Sequence, residues 1–142
     1  MNENHNLKRF IDAQHGVYSI ALGELRDGRK RSHWMWYIFP QLKHLGHSYN
    51  AKYYGISGLD EASEYLADPI LGQRLREVSN TILNLPTNDA REILGDIDSL
   101  KLRSSMTLFD FVSPNDVFES ILNKFFDGDK DHRTINLVQS KN

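Results

Sequence analysis

The chain has 142 residues, of which 39% are hydrophobic and 25% charged, with a formal net charge of −2 and no cysteine. At this length one domain is expected, large enough to bury a core without a staple. The composition excludes a disordered chain. The missing cysteine excludes disulfides, thiolate chemistry and cysteine-bound zinc, and the net charge argues against bulk affinity for nucleic acid or an anionic membrane.

Residues 1–8 are polar and carry no apolar signal region, and no apolar run approaches the ~20 residues that span a bilayer. A cytoplasmic protein with no membrane partner is therefore expected, frayed over residues 1–6. From Leu7, the apolar positions Phe10, Val17, Ala21 and Leu25 recur in steps of three and four and predict one helix to about Asp27, closed by Gly28. Gln14 and Tyr18 sit on or beside its buried face and need hydrogen-bond partners.

Next comes Gly28-Arg29-Lys30-Arg31-Ser32-His33-Trp34-Met35-Trp36-Tyr37-Ile38-Phe39-Pro40-Gln41, where three cations run into both tryptophans. The cations favour water or an anion and the aromatic half favours burial, so the junction belongs at the edge of the core. Ser32 reads as the N-cap of a short helix over residues 33–39 stopped by Pro40; a strand is the rival. On a helix, Lys30 and Arg31 would stand just before free backbone N–H groups, a place that attracts an anion.

Residues 41–58 read as a loop, a short helix over 48–54 and a turn. His44 and His47 have the spacing of a helical metal pair, but a zinc site needs at least three protein ligands and none is at hand, so no metal is expected. A short acidic helix follows over residues 59–67. Asp68 and Pro69 then start a helix to about Asn84, Thr87 caps another that holds Ala90, Ile93 and Leu94, and Gly95 closes it.

A helix over residues 96–109 sets Ser104, Ser105 and Thr107 among inward-looking neighbours. Hydroxyls there either allow close helix packing or line a pocket. Lys101 lies one turn from Ser104 and Ser105, yet no oxyanion hole accompanies that pair and a nucleophilic role is set aside. Ser113 and Pro114 start a helix buried through Val117, Phe118, Ile121, Leu122 and Phe125. Asp127-Gly128-Asp129-Lys130-Asp131 lacks the glycine and glutamate positions of an EF-hand loop. Asp131 caps a last turn through Thr134, and the chain from Leu137 is expected to be mobile. The sum is an all-α, single domain of about seven helical segments spanning residues 1–142, with no phosphate loop, nucleophile elbow or repeat.

The run from Gly28 to Gln41, with Ser104-Ser105-Met106-Thr107-Leu108-Phe109, resembles a bacterial and fungal family of small proteins of unknown function, some of them mislabelled calpastatin. The likeness spans nearly the whole chain, from the Ala13-Gln14 pair to Thr134, and departs after Gln41, where Leu42-Lys43-His44 replaces a more Gly-rich turn. It implies a single all-helical domain, no assigned activity and no named cofactor. Its characteristic residues fall on Lys30, Arg31, Ser32, His33, Trp34, Gln41, Ser104, Ser105 and Thr107. Among anionic ligands it points toward nucleotides or ADP-ribose.

Three functions are carried forward. In the first, a small anionic ligand binds Lys30 and Arg31, stacks on Trp34 or Trp36, and meets His33 as general acid or base. Ser32, Gln41, Ser104, Ser105 and Thr107 supply hydrogen bonds, which requires the two motifs to meet in space. In the second, the same basic-aromatic surface grips an acidic protein partner. The third, nucleic-acid binding, ranks last because of the net charge.

Overall fold

The computed structural model describes residues 5–139. The stripe from Leu7 to Leu25 is carried by two helices rather than one, α1 (Lys8–Gln14) and α2 (Tyr18–Arg26). Gly16, at φ 75°, turns the chain between them in a conformation that glycine adopts at little cost. Phe10, Ala21 and Leu25 still all reach the core. At the N-terminus, residues 1–4, part of the stretch expected to fray, lie outside the described residues; His5 is held by Glu64 at 2.9 Å and the Asn6 carbonyl accepts from Arg9.

Helix α3 (Met35–Ile38) is a single turn and begins two residues later than expected. Ser32 does not cap it. Its hydroxyl donates to the Glu24 carboxylate instead, a charge-assisted bond stronger than a cap to a backbone amide. Helices α4 (Tyr49–Tyr53) and α5 (Leu59–Ala67) stand where the spacing puts them, with Ser48 capping α4 through Ala51 N–H. Asp68 accepts from Ile70 and Leu71 at the start of α6 (Leu71–Leu83), leaving Pro69 outside the helix.

The cap of α7 (Ala90–Leu94) is Asp89, not Thr87, and that of α9 (Val117–Phe126) is Asp116, not Ser113. In both cases the expected hydroxyl serves the acid's segment from outside: Thr87 accepts from Asp89 N–H and Ser113 donates to Asp116. Between them α8 (Asp96–Val112) runs past Phe109. Asp131 caps α10 (His132–Gln139) through Thr134, as read from the sequence. Residues 137–139, expected to be mobile, belong to α10, and Leu137 and Val138 pack on the core; the remainder of that expected tail lies outside the described residues.

The protein is therefore all-α, with ten α-helices and a 3-10 turn (Lys43–Leu45) among the described residues, where about seven segments were expected. The short helices α3, α4 and α7 are among those the sequence marks; the additions are the break at Gly16, which makes two helices of one, and α10, a full helix where only a last turn is expected. No strand occurs among these residues; Leu42 and Ile56 form one parallel bridge. None of the described helices is long and apolar enough to cross a membrane.

Helix α8 is the hub, packed against α5, α7, α9 and α10, while α6 packs on α2, α5 and α9. A file of buried rings ties four helices together: Phe10 meets Tyr65 edge-on at 5.0 Å, Tyr65 meets Phe109 at 5.6 Å, and Phe109 meets Phe118 at 5.7 Å. The α5–α6 corner is as tight. A Cβ on Gly72 would overlap the Leu66 carbonyl oxygen, which is backbone and cannot swing aside. Gly72→Ala should cost about 1–3 kcal/mol, the range for overpacking a close contact, read from urea unfolding. A loss below about 0.5 kcal/mol, within the ordinary range for a neutral substitution, would show that the corner yields.

Candidate functional site

The site is built around one carboxylate that the sequence pattern treats as ordinary. Glu24 lies on α2 among Ala21, Leu22 and Leu25 and is buried. The chain leaves α2 at Gly28, in left-handed conformation, and wraps back so that its next residues surround that carboxylate. Arg31 N–H (2.8 Å), Ser32 N–H (3.0 Å) and the Trp34 indole N–H (2.9 Å) all donate to Oε1, and the Ser32 hydroxyl donates to Oε2 at 2.6 Å. Burial alone would raise the Glu24 pKa; these bonds more than offset it and lower it to about 2. Lys30 N–H donates to the Ile93 carbonyl at 2.7 Å, which ties the same segment to α7.

This wrapping separates the consecutive residues of the motif. Trp34 points inward and is fully buried, and Ser32 is committed to Glu24. Arg31 is exposed and reaches back to Asp27 at 3.4 Å. Lys30, His33 and Trp36 instead face the first turn of α8 across a cleft of about 440 Å³, whose floor and rim include Met35, Leu94, Gly95, Ile97 and Asp98. A small second cavity, lined in part by Gln41, Asn50, Tyr54 and Lys101, lies against Trp36 and Met35 as well. Trp36 thus borders both cavities.

The charges in the cleft are arranged around Asp98. Lys30 Nζ sits 2.9 Å from its Oδ2 and Lys101 Nζ 3.7 Å from its Oδ1. Each ammonium also lies over an indole, Lys30 at 5.2 Å from Trp34 and Lys101 at 5.0 Å from Trp36. A cation held over an aromatic face gains roughly 0.5–2 kcal/mol there. Two cations therefore share one carboxylate beside an aromatic wall, and Asp96, which also lines the cleft, balances the second of them. The α8 N-terminus supplies positive potential of its own: its first backbone N–H groups have no intrahelical acceptor, and Gly95 at its N-cap carries no side chain to satisfy them.

The hydroxyl trio does not join this cleft. Ser104, Ser105 and Thr107 are buried farther along α8 and border neither cavity. Ser104 donates to the Leu100 carbonyl, while Thr107 donates to the Arg103 carbonyl and accepts from Asp131 N–H at 3.0 Å. Ser105 Oγ is buried without a hydrogen-bond partner. Thr107 thereby fixes the start of α10. What α8 does bring to the cleft is its first turn, above all Asp98. Sequence reasoning passed over Asp98 and Glu24 because an acid in a first helical turn and one acid on an apolar stripe are both common. No group of three or more histidines and carboxylates able to hold a metal occurs among the described residues. Gln14, the other buried polar residue flagged by its position, is satisfied by the Tyr37 carbonyl, the Tyr65 hydroxyl and Arg74.

The family model described as a protein of unknown function (DUF1810) matches residues 4–138. Among solved structures, the chain is similar to the conserved hypothetical protein Rv1873 from Mycobacterium tuberculosis, with 47% identity, a TM-score of 0.92, and coverage of 94% of this chain and 96% of that one. No curated protein gives a significant match. The chain belongs to the DUF1810 family.

Proposed function

We propose that this member of a family without an assigned activity binds a small, planar, anionic ligand of nucleotide type in the cleft between Lys30, His33, Trp36 and the first turn of α8. The observation that carries this reading is the convergence of an ammonium, an imidazole, an indole and a helix N-terminus on one concave space of about 440 Å³. In this arrangement the ligand's ring system lies against Trp36, and its anionic group meets Lys30 and the α8 backbone amides. Asp96 and Asp98 accept hydrogen bonds from ligand hydroxyls. His33, exposed on the rim, is positioned to take or give a proton. Trp34 and Ser32 act through Glu24 to hold the segment in shape.

A thermal-shift panel with inorganic phosphate, mononucleotides, NAD and ADP-ribose tests the proposal. At about a hundred times its dissociation constant a bound ligand adds roughly 2.7 kcal/mol, a rise of about 5–11 °C for a chain of this size. His33→Ala and Trp36→Ala, shown to be folded by circular dichroism, should each weaken binding by about tenfold, the worth of one good contact. A flat response to the whole panel, or variants that bind as the wild type does, would reject it. A second reading rests on Ile97 and Leu100, which are 72% and 56% exposed one turn apart on α8. Large apolar side chains beside the cleft suit a protein partner laid across it; a partner of that kind would bind undiminished with His33→Ala and lose affinity with Leu100→Ser.

A further inference from the structure

Residues 42–56 form a closed loop with its own architecture. The Leu42–Ile56 bridge joins its ends, with Lys43 N–H on the Ile56 carbonyl at 2.8 Å and Ile56 N–H on the Gln41 carbonyl at 2.9 Å. From beneath, Arg9 donates to the Tyr53 carbonyl at 2.7 Å and to the Gly55 carbonyl at 3.0 Å. The two sides touch so closely that a Cβ on Gly46 would overlap the Ala51 side chain, and one on Gly55 the backbone of Lys43. Loops of this closed form are compact and often functional.

The outer side of the loop carries exposed rings and cations. Tyr49 and Tyr53 are 77% and 42% exposed, and their rings lie nearly parallel, 5.8 Å apart at 7°. Lys43, His44, His47 and Lys52 are all exposed on the same short loop. Between Gly28 and Leu59 the sequence has five lysines and arginines, three histidines and no acidic residue, although the whole chain is net negative. Lys30 pairs with Asp98 and Arg31 with Asp27, so the cations the loop itself presents are Lys43 and Lys52.

We infer that this face, formed by Lys43, His44, His47, Tyr49, Lys52 and Tyr53, is a docking surface for a short acidic peptide segment of a partner protein. Charge complementarity selects the sign of the partner. The stacked tyrosines give large contact area with few rotatable bonds, on a backbone already held from below, so little ordering opposes binding. A nucleic-acid strand fits less well, because it carries a charge at every phosphate and the loop offers only Lys43 and Lys52 on a chain of net charge −2. This surface is independent of the cleft reading.

Fluorescence anisotropy tests it with three labelled probes: a peptide of about twelve residues alternating Glu and Leu, its Lys-for-Glu counterpart, and an oligo(dT) of about twelve nucleotides, the span of an ordinary single-strand site. The acidic peptide should bind with a Kd of about 10–100 µM and the basic one should not. Tyr49→Ala/Tyr53→Ala and Lys43→Ser/Lys52→Ser should each weaken it by about tenfold or more, with unchanged circular dichroism, as expected for interface anchors. His33→Ala should leave it unchanged. Three results would overturn the inference: no saturable binding of the acidic peptide by about 1 mM, equal affinity in both double variants, or tighter tyrosine-dependent binding of oligo(dT), which would give the face to nucleic acid.

Discussion

Glu24→Ala should destabilise the protein by about 3–5 kcal/mol, since it removes the shared acceptor of one buried and three part-buried donors, and a donor left unpaired in the interior costs roughly 1–3 kcal/mol. The donors are the amides of Arg31 and Ser32, the Ser32 hydroxyl and the Trp34 indole. Glu24→Gln keeps the shape and an acceptor but brings an NH₂ toward donors, and should fall between the two. Urea unfolding at neutral pH measures both; a loss under about 1 kcal/mol for Glu24→Ala, small for any buried network, would mean the wrapped segment holds itself. The acid limb has a definite sign. The Glu24 pKa is lowered from the ordinary value of 4.5 to about 2 in the folded protein. Its contribution is therefore fully present above pH 4.5, shrinks as the pH falls below that, and is gone below about 2. Glu61 and Asp116 are shifted the same way, so wild type loses stability on acidification in any case. Glu24→Gln should lose less between pH 4.5 and 2 than wild type does, and parallel curves would reject the assignment to Glu24.

The same residue explains what could be read from the sequence and what could not. Long stripes were legible in their centres: α5 buries Ala62 and Leu66, α6 Leu71, Leu75, Val78 and Ile82, and α9 Phe118, Ile121 and Leu122, while Leu59, Ile70, Ile97 and Leu100 at or near the helix starts stay exposed. Such stripes record a helix facing one core, and that fact is local. The caps at Asp89 and Asp116 were misplaced onto Thr87 and Ser113 because either residue type can cap, and only tertiary position decides. The site was legible as a location but not as a constellation. Gly28 to Gln41 does hold Lys30, His33 and Trp36 at the cleft, yet which of its neighbours turns inward depends on Glu24, several residues upstream on another helix. The hydroxyls of α8 carry a related lesson. Ser104 and Thr107 satisfy helix carbonyls one turn back, a use that leaves no trace in spacing. In α8 the inward hydroxyls serve the helix and its neighbour rather than a pocket.

Arg9→Ala should cost about 3–5 kcal/mol, the usual penalty for stranding one member of a buried ion pair. Arg9 Nη1 and Glu61 Oε2 lie 2.8 Å apart, with side-chain exposures of only 8% and 3%. Burial pushes the Glu61 pKa up; Arg9 and the Ser57 amide pull it below the ordinary carboxylate range. Removing the guanidinium leaves that carboxylate buried with the Ser57 N–H, and it also frees the carbonyls of Asn6, Tyr53 and Gly55 that Arg9 binds. The effect should not stop at global stability. Amide exchange should accelerate in residues 48–56 at denaturant levels too low to unfold α8, because Arg9 is the clasp under that loop. A double-mutant cycle with Glu61→Ala should return a coupling energy of about 1–3 kcal/mol. Replacement of the pair by Met and Leu should recover part of the stability, since a well-packed apolar pair often does as well as a buried ion pair. It should not restore slow exchange in the loop, because Met offers no donor to Tyr53 or Gly55. If the apolar pair restored both, packing rather than hydrogen bonding would be what holds the loop, and the rigid tyrosine face above it would owe nothing to Arg9.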